Sequence, residues 1–167
     1  LTDVTGVQTC ALPISSPAEY LFEVPGNPRG QARHKSRAMQ ITKKDGSRKW
    51  VAQAYKTPEQ RSKEFELEWQ LMHHAPPKPH TGKIGLMVIA YYPIPESWSK
   101  KKKAAALAGE IAPVKAKPDL SNVIKHIEDV MEGIFFVNDK QICTLSSSKY
   151  YSDTPRVKIA ILAEDEA

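Results

Sequence analysis

Residues whose types suit phosphate chemistry lie close together between positions 119 and 139 of this chain. They are Asp119, Lys125, Asp129 and Asp139, and the chain that carries them is basic, with a formal net charge of +5. Three carboxylates in one place repel one another unless a cation lies among them. Hard cations such as Mg²⁺ bind one or two carboxylates together with water and substrate phosphate. The pattern therefore predicts a divalent-metal site that faces a phosphate, and such sites hydrolyse phosphodiesters by in-line attack.

Local signals predict the elements that must position these side chains. Pro118 disfavours helix immediately before it, so the chain reaches Asp119 in an extended form. A helix is predicted over 121–132, capped by Asp119 or Ser121 and ended by Gly133. Four apolar residues of this helix recur at helical spacing and are expected to face the core: Val123, Ile127, Val130 and Met131.

A second stripe of the same helix is polar. Asn122, Lys125 and Asp129 follow one another at i, i+3 and i+7, so they share one face. Asp119 lies where the helix begins, and Asp139 is expected to return beside it once the chain has doubled back. This return is an inference from topology, because the spacing alone does not require it.

These residues resemble the RusA family of Holliday junction resolvases, which is common in bacteriophages and prophages. The resemblance rests on Lys-Pro-Asp at 117–119, then Asn122 and Lys125, then Asn-Asp at 138–139 followed by Gln-Ile. It covers roughly residues 20–162. Other segments that are similar to the family are Phe22–Arg33, Tyr92-Pro93, Ser97–Lys100 and Pro155–Ile159.

The resemblance implies a fold and an activity. The fold is a single α/β domain over 16–167, with a mixed β-sheet flanked by helices. The activity is that of a homodimeric, metal-dependent endodeoxyribonuclease that cuts four-way DNA junctions during recombination and repair. Carried over to this chain, the catalytic residues are Asp119, Lys125 and Asp139. Asp119 and Asp139 are expected to ligate Mg²⁺, for which Mn²⁺ can substitute, with Ser121 or Asp129 completing the site.

One position departs from the family pattern. Ser121 stands where the family has a second aspartate, and a hydroxyl supplies no negative charge to a metal. Asp129 or Glu128 is a possible replacement for it. The alternative function is therefore a protein that binds branched DNA with weak or lost catalysis. A metal-dependent nuclease of broader preference, which attacks flaps or single strands, is a further alternative.

Basic residues outside the motif are candidates for contact with the DNA backbone. The segment 25–37 is predicted to be a phosphate-contacting loop, and a short helix that follows Ser97 begins with a run of lysines. A solvated turn and a solvated helix face are the alternatives. The predicted DNA-binding residues are Arg29, Arg33, Lys35, Arg37, Lys100, Lys101, Lys102 and Asn122.

The rest of the chain predicts the scaffold. A strand is expected over 20–24, and a hairpin over 39–52 with Asp-Gly at its turn. A helix that begins at Thr57 is expected to bury the stripe formed by Phe65, Trp69 and Met72. The run 84–92 is apolar on both faces, which is typical of a central strand covered on each side.

The first residues and the overall composition set further expectations. Residues 1–15 resemble a translated sequencing adapter, so they are interpreted as a non-native artefact and excluded from the fold. No segment is long and apolar enough to predict a membrane span. The expected location is the cytoplasm of a bacterial or phage-infected cell, in association with the nucleoid.

Overall fold

The computed structural model describes residues 20–31 and 35–164. Segment 1–15 and Arg33 lie outside this part of the chain. None of the described helices is long and apolar enough to cross a membrane. The elements are β1 (Tyr20–Pro25), β2 (Lys35–Thr42), β3 (Arg48–Tyr55), α1 (Pro58–Met72), β4 (Lys83–Pro93), α2 (Lys100–Leu107), α3 (Leu120–Met131), a 3₁₀ turn (Asp139–Gln141), β5 (Ile142–Ser152) and β6 (Arg156–Glu164).

Four strands form one mixed sheet in the order β1-β6-β4-β5. β4 runs parallel to β5 and antiparallel to β6, and β1 is antiparallel to β6. A parallel pair needs a long connection, and the connection between β4 and β5 carries α2 and α3. Helix α1 contacts β1, and α3 contacts β4 and β5. The predicted α/β domain with a mixed sheet and flanking helices is confirmed.

β4 is the central strand, but only one of its faces is fully buried. The other face is half-buried, because the neighbouring strand β6 places Lys158 opposite Ile89 and Arg156 opposite Tyr91. The Arg156 guanidinium lies 4.0 Å from the centre of the Tyr91 ring. The expectation that both faces are covered is therefore correct for one face only, the one formed by Ile84, Leu86, Val88, Ala90 and Tyr92.

The hydrophobic core lies between this buried face and helices α1 and α3. The helix α3 contributes the stripe predicted from the sequence, and burial of each such side chain stabilises the fold by about 1.5–3 kcal/mol. Phe135 and Phe136, which follow α3, are fully buried in the same cluster. The core residues of α3 are Val123, Ile124, Ile127 and Met131, with Val130 partly buried against them.

Helix α1 buries a different face from the predicted one. Its core residues are Leu67 and Leu71, four positions apart. Phe65, Trp69 and Met72 are instead 66%, 59% and 59% exposed, so the expectation that they form a core stripe is wrong. Both sets have helical spacing, and the docking of α1 on β1 and α3 decides which of them is buried.

The strands β2 and β3 form a separate two-stranded ribbon. The predicted hairpin is confirmed. In its loop the Lys43 amide donates to the Ser47 carbonyl oxygen, and the amide of Gly46, whose φ of +81° suits glycine, donates to the Lys43 carbonyl oxygen. The ribbon is longer than predicted, because β2 already begins at Lys35. Lys35 and Arg37, which were expected in a loop, therefore lie on a strand.

Candidate functional site

The start of α3 is held in place by Tyr92 of the central strand. The Tyr92 hydroxyl is buried and donates a hydrogen bond to the Pro118 carbonyl oxygen at 2.6 Å. The peptide bond between Lys117 and Pro118 is cis. Asp119 then occupies the N-cap position, but its side chain makes no cap hydrogen bond to the described backbone. The predicted cap position is confirmed, and the exposed Asp119 carboxylate stays uncommitted to the helix.

Lys125 is the centre of a charged cluster on the exposed face of α3. Its ammonium nitrogen lies 3.0 Å from Asp129 Oδ1 and 3.4 Å from Asp139 Oδ2. The second oxygen of Asp129 accepts a hydrogen bond from the Gln31 amide. Asn122 is exposed on the same face, so the predicted polar stripe is confirmed. The cluster therefore brings together two of the three predicted aspartates and the predicted lysine.

The position of Asp139 depends on the 3₁₀ turn in which it lies. Asn138 and Gln141 form a capping box, in which each side chain bonds to the backbone at the other end of the turn. The Gln141 amide also donates to the carbonyl oxygens of His80 and Gly82, at 2.9 Å and 2.8 Å. These contacts fix the turn to the segment before β4, and they hold Asp139 against α3.

The charges of the cluster shift the pKa values of its members. The hydrogen bond with Asp129 raises the pKa of Lys125, and Asp139 raises it further, while burial has a smaller opposite effect. Burial raises the pKa of Glu128, and repulsion by Asp139 and Asp129 adds to this, against the attraction of Lys125. Lys125 therefore stays protonated at neutral pH, and burial makes Glu128 easier to protonate than an exposed glutamate.

The carboxylate of Asp119, at the start of α3, affects the pKa of Tyr92. Burial raises the pKa of the Tyr92 hydroxyl, and the negative charge of Asp119 raises it further. The hydroxyl therefore stays protonated, and it keeps its role as a hydrogen-bond donor to Pro118.

Asp139 contacts the side chain of Lys125, whereas Asp119 lies at the start of α3. Lys125 and Asp129 lie six and ten residues beyond Asp119, which corresponds to about 9 Å and 15 Å of helix rise. Asp119 and Asp129 are thus too far apart to ligate one ion. Within the described residues, no group of three His, Cys, Asp or Glu side chains is arranged to hold a metal. The pairing of Asp119 with Asp139 around a metal, and a ligand role for Ser121 on the exposed first turn of α3, stay predictions.

The described basic residues that were predicted to bind DNA lie in three parts of the fold. Arg29 lies beside α1 and forms an ion pair with Glu66 at 2.7 Å. Arg37 lies on the ribbon, where it bonds the Gln53 side chain across the two strands. The exposed lysines Lys100, Lys101 and Lys102 begin α2, and the last of them lies 3.9 Å from the centre of the Trp98 ring. Their contact with DNA stays a prediction.

Three residues that position the site were not identified as such from the sequence: Gly30, Gln31 and Tyr92. The backbone amide nitrogen of Gln31 donates to the backbone carbonyl oxygen of Asn122 at 3.1 Å, so this loop runs along α3. A Cβ atom on Gly30 would lie 2.6 Å from the side-chain amide nitrogen of Asn122 and 2.7 Å from the Pro118 Cβ. A glycine such as Gly30, between two polar residues, can indicate that the backbone passes close to another part of the protein. The sequence does not show which part that is.

The close approach of Gly30 gives a testable expectation. Gly30→Ala should lower the free energy of unfolding by about 1–3 kcal/mol, because an overpacked contact displaces its neighbours. It should also slow any reaction at the site, since the turn at Pro118 carries Asp119. Denaturant unfolding measures the first effect. The double variant Gly30→Ala/Asn122→Ala removes one of the two contacts and should recover part of the stability; strictly additive losses would show that the contact is relieved elsewhere.

Comparison with known proteins covers most of the chain. The family model described as endodeoxyribonuclease RusA matches residues 25–162, which include every side chain of the α3 cluster. A protein of Bacillus subtilis (strain 168), named uncharacterized protein YqaN, is 38% identical over 90 residues. That match covers 53% of this chain and 63% of the relative, so the chain spans less than two thirds of the relative's length.

Proposed function

Because the chain belongs to the RusA endodeoxyribonuclease family, we propose that it is a metal-dependent endodeoxyribonuclease that resolves four-way DNA junctions. The reaction is hydrolysis of a phosphodiester bond, and its setting is DNA recombination and repair. The observation that carries the proposal is the cluster on α3, where the Lys125 ammonium lies between the carboxylates of Asp129 and Asp139 on an exposed helix face.

The donor set suits a hard divalent cation. Asp119 offers a carboxylate that is not used as a helix cap, and Asp139 offers one whose described partner is Lys125. Mg²⁺ needs only one or two carboxylates, because water and substrate phosphate complete its shell. We assign Asp119 and Asp139 as the ligands, with Ser121 in support and Mn²⁺ as a substitute, while Asp129, which is too far from Asp119 to share its ion, holds Lys125. When bound, such an ion supplies a water of lowered pKa and neutralises phosphate charge.

The residues of the chain supply the remaining functions. Lys125 stays charged because its pKa is raised, so it acts as a fixed positive charge that stabilises the negative charge developing on the phosphate. Asp129 and Asp139 hold the ammonium in position before substrate binds. Glu128, whose pKa is also raised by burial, is proposed to supply a proton during the reaction. Asn122 lies one turn from Lys125 and is proposed to contact the DNA backbone.

The partners follow from the same proposal. Symmetric resolution of a four-way junction cuts two opposed strands out of four, and a two-fold dimer would present one site to each of the two. We therefore propose a homodimer on branched DNA, with salt-dependent affinity supplied by the basic residues. A cytoplasmic, nucleoid-associated location, and a phage or prophage origin, belong to the same proposal.

The alternative is a branched-DNA-binding protein with weak or lost catalysis. Ser121 favours it, because this exposed serine stands two residues after Asp119, where the family pattern has an aspartate. The two functions differ in turnover and agree in DNA binding, so one assay separates them.

The deciding experiment measures cleavage and binding of a labelled four-way junction by the same protein preparation. We expect symmetric cleavage with Mg²⁺ or Mn²⁺ and none with a chelator, while binding persists without metal. Linear duplex, flap and single-stranded substrates are the controls for a nuclease of broader preference. Binding without cleavage would support the alternative, and Ser121→Asp should then restore turnover. Absence of both binding and cleavage would reject the family function for this chain.

A further inference from the structure

The β2–β3 ribbon has few packing contacts with the rest of the described fold. It is a two-stranded sheet of its own, and neither strand packs substantially against another described element. An isolated two-stranded hairpin is marginally stable in water, so an arm of this kind needs a reason to be retained. Its link to the domain includes the ion pair between Lys56 and Glu64 of α1 at 2.8 Å.

The net positive charge of the protein is concentrated on this arm. The segment 35–56 contains seven basic residues and one acidic residue, a net charge of +6 against +5 for the whole chain. The remainder of the chain therefore carries a net charge of −1. Charge so concentrated on one projecting element attracts a polyanion to that element rather than to the protein in general.

The tip of the arm is free to bind an anion. Its four cations, Lys43, Lys44, Arg48 and Lys49, are exposed and have no carboxylate partner in residues 20–31 and 35–164. The acidic residue of the tip, Asp45, is committed to the turn, because its carboxylate accepts from the Ser47 amide and hydroxyl at 2.9 Å and 2.6 Å. These bonds shape the loop and lower the pKa of Asp45.

One face of the ribbon also carries an aromatic side chain. Trp50 is 65% exposed and lies opposite Gln40. Side chains alternate between the faces of a strand, so Arg48 lies on the same face as Trp50, next to the tip. An exposed indole beside a guanidinium is suited to stack on a base or pack against a sugar, while the cations bind phosphate.

We propose that the β2–β3 ribbon is a DNA-docking arm that holds one duplex arm of the branched substrate. Its eight-residue strands extend for about 26 Å, and the major groove of B-DNA is wide enough for a two-stranded ribbon. The tip cations contact phosphates, and Trp50 contacts the groove. This inference rests on the proposed function, because it names the element by which the same protein holds its substrate.

The test compares Lys44→Ala/Lys49→Ala with Lys78→Ala/Lys83→Ala, which removes the same charge from exposed positions outside the ribbon. Binding of a labelled four-way junction is measured by anisotropy at several salt concentrations. The tip variant should bind roughly tenfold more weakly or worse, and its salt slope should fall by about 1.8, which is 0.9 for each lost phosphate contact. Its cleavage rate at saturating junction should stay within about twofold of wild type, whereas the control pair should keep the wild-type slope.

A matched pair of tryptophan variants tests the aromatic contact. Trp50→Ala should weaken junction binding severalfold, while Trp69→Ala, which removes an equally exposed indole from α1, should not. If the tip variant and its control have equal salt slopes and the wild-type protein cleaves the junction, the docking role of the ribbon is wrong and the proposed function stands. If light scattering shows that the tip variant has a different oligomeric state from wild type, the ribbon is a subunit contact and the docking role is also wrong. A wild-type protein that neither binds nor cuts the junction rejects the proposed function itself.

Discussion

Asp119→Asn is expected to slow junction cleavage at least 100-fold while junction affinity stays within about threefold of wild type. The substitution keeps the shape of the side chain and removes the negative charge that the proposed metal requires. Loss of one electrostatic contact in a reacting site typically lowers turnover by about 10²–10³. The fold should tolerate it, because the Asp119 side chain makes no cap hydrogen bond in the described structure. Single-turnover cleavage at saturating enzyme measures the chemical step.

The control for this prediction is Glu164→Gln, which removes one carboxylate charge from an exposed residue that pairs with Lys83. It should cleave at the wild-type rate. Asp139→Asn should behave like Asp119→Asn if both aspartates serve one ion. A wild-type rate for Asp119→Asn would show that the free carboxylate at the start of α3 has no part in catalysis. Equal losses of cleavage and thermal stability would instead assign it to the fold.

Lys125→Met is expected to lower the cleavage rate about 100-fold with little loss of junction affinity. The variant keeps the length and the apolar stem of the side chain but removes the positive charge that faces the phosphate in the proposed mechanism. The side chains in the two ion pairs of Lys125 are 35–45% exposed, and ion pairs that solvent can reach contribute only about 0–1 kcal/mol each to stability. The free energy of unfolding of Lys125→Met should therefore stay close to that of wild type, while its cleavage rate falls strongly.

The charge of Lys125 also predicts a change in pH dependence. Without its attraction, burial and the repulsion of Asp129 and Asp139 act on Glu128 unopposed, so the pKa of Glu128 rises further. The part of the pH–rate profile that reports the protonation of Glu128 should therefore move to higher pH in Lys125→Met. Lys125→Arg keeps the charge and should retain the wild-type limb. A folding defect in Lys125→Met, with an unchanged profile, would mean that the lysine serves only to neutralise the carboxylates.

The sequence predicted α3 and its two faces because the pattern of apolar and polar residues in this segment fits only one helix orientation. Apolar residues occupy a single stripe, and Asn122, Lys125 and Asp129 occupy another. A proline, an N-cap and a glycine also mark the limits of the helix. Each of these signals is local, so it holds before the rest of the chain has folded. The structure confirms the buried stripe, the polar stripe and the cap position.

Helix α1 shows where local pattern is insufficient. Phe65, Trp69 and Met72 have helical spacing, and so do Leu67 and Leu71, so the sequence contains two candidate core stripes. The prediction named only the stripe of Phe65, Trp69 and Met72. The buried stripe is instead the one that faces β1 and α3 once α1 has docked. Burial on a helix with two apolar faces is a property of the neighbouring elements, which the periodicity of one segment cannot contain.

The residue types of the site, their order and the limits of α3 were determined by the sequence alone, because motif, cap and alternation are encoded over a few neighbouring positions. The mixed α/β sheet followed from the resemblance to the family, which that motif carries. Tertiary structure alone decided which of these groups meet. It brought Asp139 to Lys125 through the turn clamped by Gln141. It placed Gly30 against Asn122 and Pro118, and it left the basic ribbon apart from the core. These contacts join residues far apart in the chain, so they depend on how the elements pack rather than on any local pattern.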